Sequence, residues 1–239
     1  MDSGICEGLV FQGIAEAQRV TDNYFFILDT KLALFTLWQS PSFLIVLIFT
    51  DPKVGQSTEG NWLSTTELCS LTSGSCSLFT NLPELSYHPR AVRIDNRRVF
   101  VLPNQNGRAW IFNQNGNTFS QIPNLLEKRD RASVGLINGE EIVVAGGSGS
   151  KTSEIFNIAT NEWRQGPDLP INGDLCCTSS VQYGNSFLIV GGFNGGVQDS
   201  ILRYDSSNHK WVTLPQKLDT GRDNFAAFLI PNYCGKIGC

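Results

Sequence analysis

Histidine is almost missing from this sequence, which carries only His88 and His209, and methionine occurs once. Imidazole is the commonest metal-ligating side chain, so a metal centre built on histidine has little to work with. His209 stands just before Trp211 and reads as a solvated turn residue. Charge is also scarce. With 17% charged residues and a net charge of −4, no global positive field exists to hold a polyanion, so nucleic acid is not an expected partner. The local cluster Lys128, Arg129 and Arg131 reads as a solvated turn. Near the N-terminus, Asp2 and Glu7 stand where a secretory leader would carry basic residues, and no clean apolar core follows. The most apolar stretch, 25–49, is interrupted by Asp29, Lys31, Gln39 and Pro41. Each charge at a bilayer centre costs roughly 2.5 to 3.5 kcal/mol on insertion scales, so no membrane span is expected. Seven cysteines leave at least one unpaired within the chain and supply no four-ligand zinc spacing.

What is abundant points elsewhere. Glycine (23), proline (10) and aromatic residues (10%), with 41% apolar residues overall, suit many short strands separated by turns around a packed core. Three segments share one pattern at offsets of 44 and 48 residues: WIFNQNGNTFSQIPNL, EIFNIATNEWRQGPDL and LRYDSSNHKWVTLPQK, beginning at 110, 154 and 202. In each, an aromatic (Phe112, Phe156, Tyr204) is followed seven residues on by a second aromatic (Phe119, Trp163, Trp211), and four further on by proline (Pro123, Pro167, Pro215). Upstream of each lies a β-branched or aromatic run, and two of these runs end in diglycines, Gly146-Gly147 and Gly191-Gly192. A more degraded fourth copy has 44–50 as its run and TELCSLTSGSCSLFTNLP as its second half, with Cys69 and Cys76 in the aromatic columns.

Each copy reads as an opening strand, a tight turn such as Asn138-Gly139, a buried strand, the diglycine, a variable loop, and a hairpin carrying the two aromatics. One four-stranded sheet cannot bury both of its faces, so neighbouring units must stack face to face. These residues resemble the kelch repeat, whose diglycine follows the second strand and whose spaced Tyr and Trp pack between blades. The resemblance covers 44–231. It is strong in the copies with Gly146-Gly147 and Gly191-Gly192, and weak where Pro103-Asn104 and Phe49-Thr50 replace the glycines.

The expected fold is all-β: a kelch-type β-propeller of about four four-stranded antiparallel blades, with two alternatives, a ring closed by four blades or an incomplete, open one. The blades are placed at 44–83, 88–126, 131–170 and 177–216, with a closing strand at 222–231, an irregular N-terminal segment at 1–43 and a tail at 232–239. The match of RDRASVGLI with RDNFAAFLI identifies the closing strand, which is expected to pair with 44–50. Helix-like spacing is read at 8–20. Gly146, Gly147, Gly191, Gly192, Phe156, Trp163, Tyr204 and Trp211 are the structural residues of the repeat.

No nucleophile elbow stands out, and the glycine-rich stretches are followed by strands rather than by the helix that phosphate binding needs. The resemblance includes copper oxidases that use Tyr and His ligands with a Cys–Tyr crosslink, for which two histidines are a poor supply. The expected function is therefore a non-catalytic scaffold, without cofactor or metal, that binds a protein or peptide. In kelch-like domains that binding falls to loops on one face. Arg90, Arg108, Arg129, Lys151 and Arg222 are placed there and could pair with acidic groups. The alternative is a galactose-oxidase-like or carbohydrate-processing extracellular enzyme. Cys69 and Cys76 sit on facing strands within disulfide reach, with two buried thiols as the other reading. Absence of a leader slightly favours a cytoplasmic location, whereas an oxidised Cys69–Cys76 pair would mean an extracellular one. Cys234 and Cys239 form another candidate pair. Cys176 and Cys177, adjacent on a strand edge, are expected to point to opposite faces.

Overall fold

The computed structural model describes residues 14–20, 23–28, 32–39, 44–50, 64–69, 76–85, 88–103 and 106–230. The loop at 51–61, the tail at 232–239 with Cys234 and Cys239, and the side chains of Cys69 and Cys76 lie outside the described residues. Every regular element among the described residues is a strand. The first two, β1 (Ile14–Val20) and β2 (Asn23–Leu28), form a hairpin. Blade 1 follows as β3 (Leu32–Gln39), β4 (Leu44–Thr50), β5 (Thr65–Cys69) and β6 (Cys76–Asn81). Blade 2 comprises β7 (Arg90–Arg93), β8 (Arg98–Leu102), β9 (Trp110–Asn113) and β10 (Thr118–Gln121). Blade 3 comprises β11 (Ser133–Ile137), β12 (Glu141–Ala145), β13 (Ser153–Asn157) and β14 (Glu162–Gln165). Blade 4 comprises β15 (Ser179–Tyr183), β16 (Ser186–Val190), β17 (Ser200–Asp205) and β18 (Lys210–Lys217), and β19 (Ala226–Ile230) ends the series. Each blade is a four-stranded antiparallel meander in chain order.

Local sequence accounts for the turns. Between β11 and β12, Asn138 and Gly139 both take positive φ (51° and 71°), the combination a two-residue hairpin of right-handed twist requires. In the outer hairpins an Asx side chain shapes the turn: Asn157 Oδ1 accepts from the backbone N–H of Ala159 and Thr160, each at 2.9 Å. Asn113 and Asp205 do the same in blades 2 and 4. Four residues beyond each of them, Asn117, Asn161 and His209 turn left-handed (φ 49°, 59° and 49°). His209 is thus an exposed turn residue, as its sequence position suggested.

The seam between blades explains the aromatic and proline columns together. Trp163 of blade 3 donates its indole N–H to the Pro123 carbonyl of blade 2 at 2.8 Å, and Trp211 of blade 4 repeats this to Pro167 of blade 3 at 3.2 Å. The proline of one copy is therefore read by the tryptophan of the next. Phe156 lies 5.1 Å from Trp163, and Tyr204 5.2 Å from Trp211, both as tilted or edge contacts that rings prefer. Apolar clusters span neighbouring sheets: Phe100, Leu102 and Ile122 of blade 2 pack with Val134, Ile142 and Phe156 of blade 3. Ile137, Val143 and Ile155 of blade 3 pack in turn with Phe187, Ile189 and Trp211 of blade 4. A large aromatic buries 150–250 Å², so one such ring contributes roughly 4 to 6 kcal/mol of transfer free energy before ordering costs.

At the diglycines the backbone turns with positive φ at both residues, 67° and 109° in blade 3 and 58° and 108° in blade 4. A Cβ on Gly146 would sit 2.5 Å from the Leu175 carbonyl oxygen, and one on Gly191 2.5 Å from that of Arg222. The glycines therefore let the chain leave the second strand against the linker that enters the next blade.

Two expectations about the ends of the chain need correction. The stretch read as helix-like contains strand β1, and 1–43, read as irregular, contains three strands, of which β3 is the opening strand of blade 1. Strand β19 pairs with β2 rather than with β4, in the register Ala226↔Leu28 to Ile230↔Tyr24. The result is a three-stranded sheet ordered β1-β2-β19. The position that β19 was expected to fill beside β4 is held by β3, with Leu32↔Thr50 and Gln39↔Leu44 as the ends of the register.

Candidate functional site

The loops between second and third strands interlock with the linkers between blades, so both kinds share one face. Leu125 donates its N–H to the Gly107 carbonyl at 2.9 Å, Ser148 to that of Asp130 at 2.8 Å, and Arg222 to that of Gln198 at 3.0 Å. Four large apolar side chains stand exposed among the described residues: Leu85 (55%), Leu126 (60%), Phe193 (42%) and Val197 (50%). Leu85 and Leu126 lie in linkers, and Phe193 and Val197 in the β16–β17 loop, so all four belong to this face. Between them in sequence, an open groove of about 500 Å³ is lined by Gly149, Lys151, Ile171, Asn172, Gly173 and Asp174.

The five basic residues assigned to this face fare differently. Arg108 is exposed and 3.9 Å from Glu84, and Lys151 is exposed and 3.5 Å from Asp168, two weak surface pairs. Arg222 is partly buried in its linker. Arg90 points inward: its Nε donates to the Ala132 carbonyl at 2.9 Å, and burial draws its guanidinium below the ordinary arginine value. Arg129 is not on the surface at all. Its side chain is 1% exposed and donates from Nε to Glu154 Oε1 at 2.8 Å, with Glu154 itself fully buried. Its other donors reach the Gly146 and Thr152 carbonyls, Ser150, Thr152 Oγ1 and Glu127. A guanidinium fork this well matched serves as an internal brace between linker and blade.

A feature the sequence reading missed lies where each linker enters an inner strand. The inner strands β7, β11, β15 and β19 contact one another in that order. Preceding them, His88, Arg131, Cys177 and Asn224 occupy equivalent positions and all take left-handed φ, at 50°, 57°, 61° and 49°. They are bonded in succession. Arg131 Nε donates to His88 Nδ1 at 3.0 Å, Arg131 Nη1 to Cys177 Sγ at 3.6 Å, and Asn224 N–H to the Cys177 carbonyl at 2.8 Å. Asp130 Oδ1 lies 3.2 Å from the same His88 nitrogen. A proton on Nδ1 lets the imidazole donate to Asp130, and its absence lets it accept from Arg131. Burial pushes the Asp130 carboxyl up, but His88, Arg131 and Arg90 together hold it below the ordinary carboxylate value. Asn224 and His88 carried a weak hint in the sequence, because asparagine and histidine are enriched at positive φ; Arg131 and Cys177 carried none.

This geometry also corrects the cysteine expectation. Because Cys177 is left-handed rather than extended, Cys176 and Cys177 do not diverge: their sulfurs lie 3.0 Å apart, both buried. Burial, and then the hydrogen bond with Cys177, push the Cys176 thiol up to about 11. Cys69 and Cys76 are directly opposed in the register of β5 and β6. No group of three or more His, Cys, Asp or Glu side chains converges among the described residues. Nor is any helix of the described residues long and apolar enough to cross a membrane.

Comparison with known proteins places these features. Residues 174–217, the end of the linker into blade 4 and the whole of that blade, match the model of the Kelch motif. Two galactose oxidases of Gibberella zeae are each 30% identical over 79 residues, covering 33% of this chain and 12% of the fungal protein. The matched stretch thus spans about an eighth of those relatives' length. The solved structure of YjhT superposes with a TM-score of 0.58 over 89% of this chain and 72% of that one, at 10% identity, a likeness of fold. Blade order, the Trp-to-Pro seam, the diglycine corners and the structural likeness agree on the fold, a kelch-type series of four-stranded β-propeller blades with a Kelch motif at 174–217.

Proposed function

We propose that this chain is a non-catalytic kelch-type interaction module that holds a protein or peptide on its loop face. The observation that supports this reading is the segregation of exposed apolar side chains: Leu85, Leu126, Phe193 and Val197 all stand on that one face. Surface apolar residues gathered in this way, rimmed by polar loops, are the usual signature of a contact surface. Arg108 and Lys151 add exposed positive charge at the rim, where it acts on partner choice and encounter rate more than on affinity.

The test is affinity capture by the intact chain, compared with Leu126→Ser/Phe193→Ser/Val197→Ser and with Thr160→Glu, a control in the β13–β14 turn away from these loops. Partners lost from the triple variant and kept by the control are the expected result, with thermal unfolding of all three proteins superimposable. Equal recovery by wild type and triple variant would remove the loop face from the mechanism.

A second reading draws on the 30% identity with galactose oxidases: an enzyme of that kind acting on carbohydrate. Metal analysis of the purified chain separates the two, because copper bound at one per chain would overturn the non-catalytic reading.

A further inference from the structure

The two adjacent thiols of blade 4 are placed for chemistry that neither the fold nor the binding surface requires. In an extended strand, neighbouring side chains point to opposite faces and two consecutive cysteines cannot meet. Here the left-handed turn at Cys177 brings Sγ of Cys176 and Sγ of Cys177 to 3.0 Å, about 1 Å longer than the roughly 2.05 Å covalent S–S bond. That turn is not made by the cysteines. His88, Arg131 and Asn224 adopt it at the equivalent positions of their own repeats, so the blade architecture imposes it and the thiols inherit the juxtaposition. The backbone around the pair is pinned on both sides: Cys176 exchanges N–H and carbonyl bonds with Phe193 at 3.2 and 2.8 Å, and the Cys177 carbonyl accepts from Asn224.

The two sulfurs are unequal. Cys177 Sγ receives an N–H of Arg131 at 3.6 Å, a cation set beside the sulfur, whereas the hydrogen bonds of Cys176 Sγ are with its neighbouring thiol and the Ser148 side chain. Both are buried, at 3% and 6% exposure, so only a small oxidant can reach them.

We propose that Cys176 and Cys177 form a redox-modification site that a hydroperoxide closes into a vicinal disulfide. The Cys177 sulfur attacks the peroxide, the O–O bond breaks, and the thiol proton leaves with the departing oxygen as water or alcohol, giving a sulfenic acid. The Cys176 sulfur then attacks the sulfenic sulfur, the S–O bond breaks, and the released hydroxide takes the Cys176 proton as water. Two thiols lose two electrons and two protons in all, and one peroxide is reduced. This assignment is independent of the binding-module reading and is tested without any partner.

The experiment uses the full chain, reduced, freed of reductant and exposed to hydrogen peroxide, then alkylated in denaturant and mapped by mass spectrometry. The expected peptide spanning 176–177 is lighter by two hydrogen masses, resists alkylation, and takes two alkyl groups after treatment with dithiothreitol. In Cys176→Ser the sulfenic acid has no partner, so dimedone should label Cys177. In Arg131→Met closure should be slower at the same peroxide concentration. Two alkylated thiols after peroxide, bridges from either residue to a different cysteine, or sulfinic acid on Cys177 beside a free Cys176 would each overturn the proposal. The wild-type map decides the matter even where a variant fails to fold.

Discussion

Replacing Glu154 by alanine should be among the most damaging single changes in this chain. The carboxylate is fully buried and does three things at once: it accepts the Arg129 Nε–H at 2.8 Å, the Leu126 N–H at 2.6 Å and the Glu127 N–H at 3.1 Å. Alanine leaves a buried guanidinium without its main counter-charge. Removing one member of a buried pair costs about 3 to 5 kcal/mol, and two unpaired N–H groups in the same linker add to the loss. Glu127 moderates it, because its half-exposed carboxylate stays 3.0 Å from Arg129 Nη2. We therefore expect about 3 to 5 kcal/mol in urea unfolding, and a fall in Tm on the order of 10 °C for a chain of this length. The double change Arg129→Met/Glu154→Leu removes both charges and should recover much of the loss, the residue being the linker N–H groups. Glu154→Ala within 1 kcal/mol of wild type, or a double variant less stable than Glu154→Ala, would refute the assignment of Arg129 and Glu154 as an internal brace.

Two further outcomes follow from the same geometry. Asp130 has a depressed folded-state pKa, so its contribution is complete above the unfolded value near about 3.9 and is lost as pH falls through that value toward the folded one. Asp130→Asn should lower the urea midpoint at neutral pH and flatten its decline between about pH 5 and about pH 3; curves that run parallel to wild type would contradict this. Gly146→Ala and Gly139→Ala place a Cβ at nearly the same φ, 67° and 71°, but the first meets the Leu175 carbonyl at 2.5 Å and the second meets nothing within 4 Å. Thermal unfolding should show Gly146→Ala as the costlier by about 2 kcal/mol or more, and equal losses would mean that conformation rather than space selects the diglycine.

Much of the fold was legible because its signals repeat locally. Trp163 and Trp211 stand at fixed offsets from Phe156 and Tyr204 within one hairpin, and the Asn138-Gly139 turn needs no distant partner to be recognised. The seam to Pro123 and Pro167 is a nearest-neighbour contact, so it keeps the repeat period. Legibility failed where a partner lies far away or a conformation departs from its class. Asn23–Leu28 carries no diglycine or paired aromatic column, and its pairing with Ala226–Ile230 joins the two ends of the chain. Arg129 reads as a surface charge until Glu154, 25 residues on, is seen to be its counter-ion. The thiols of Cys176 and Cys177 were set apart by the alternation rule of an extended strand, which the left-handed backbone at Cys177 does not obey.

The column occupied by His88, Arg131, Cys177 and Asn224 shows a division of labour within the repeat. Its backbone angle is dictated by the entry into an inner strand, yet an imidazole, a guanidinium, a thiol and a carboxamide all satisfy it. Such a position resembles a socket: the scaffold holds the orientation constant while the inserted chemistry varies from one sector to the next. Evolution or design could exchange these four groups, acid for base or soft donor for hard, and retune the heart of the disc with little reshaping of the strands around it.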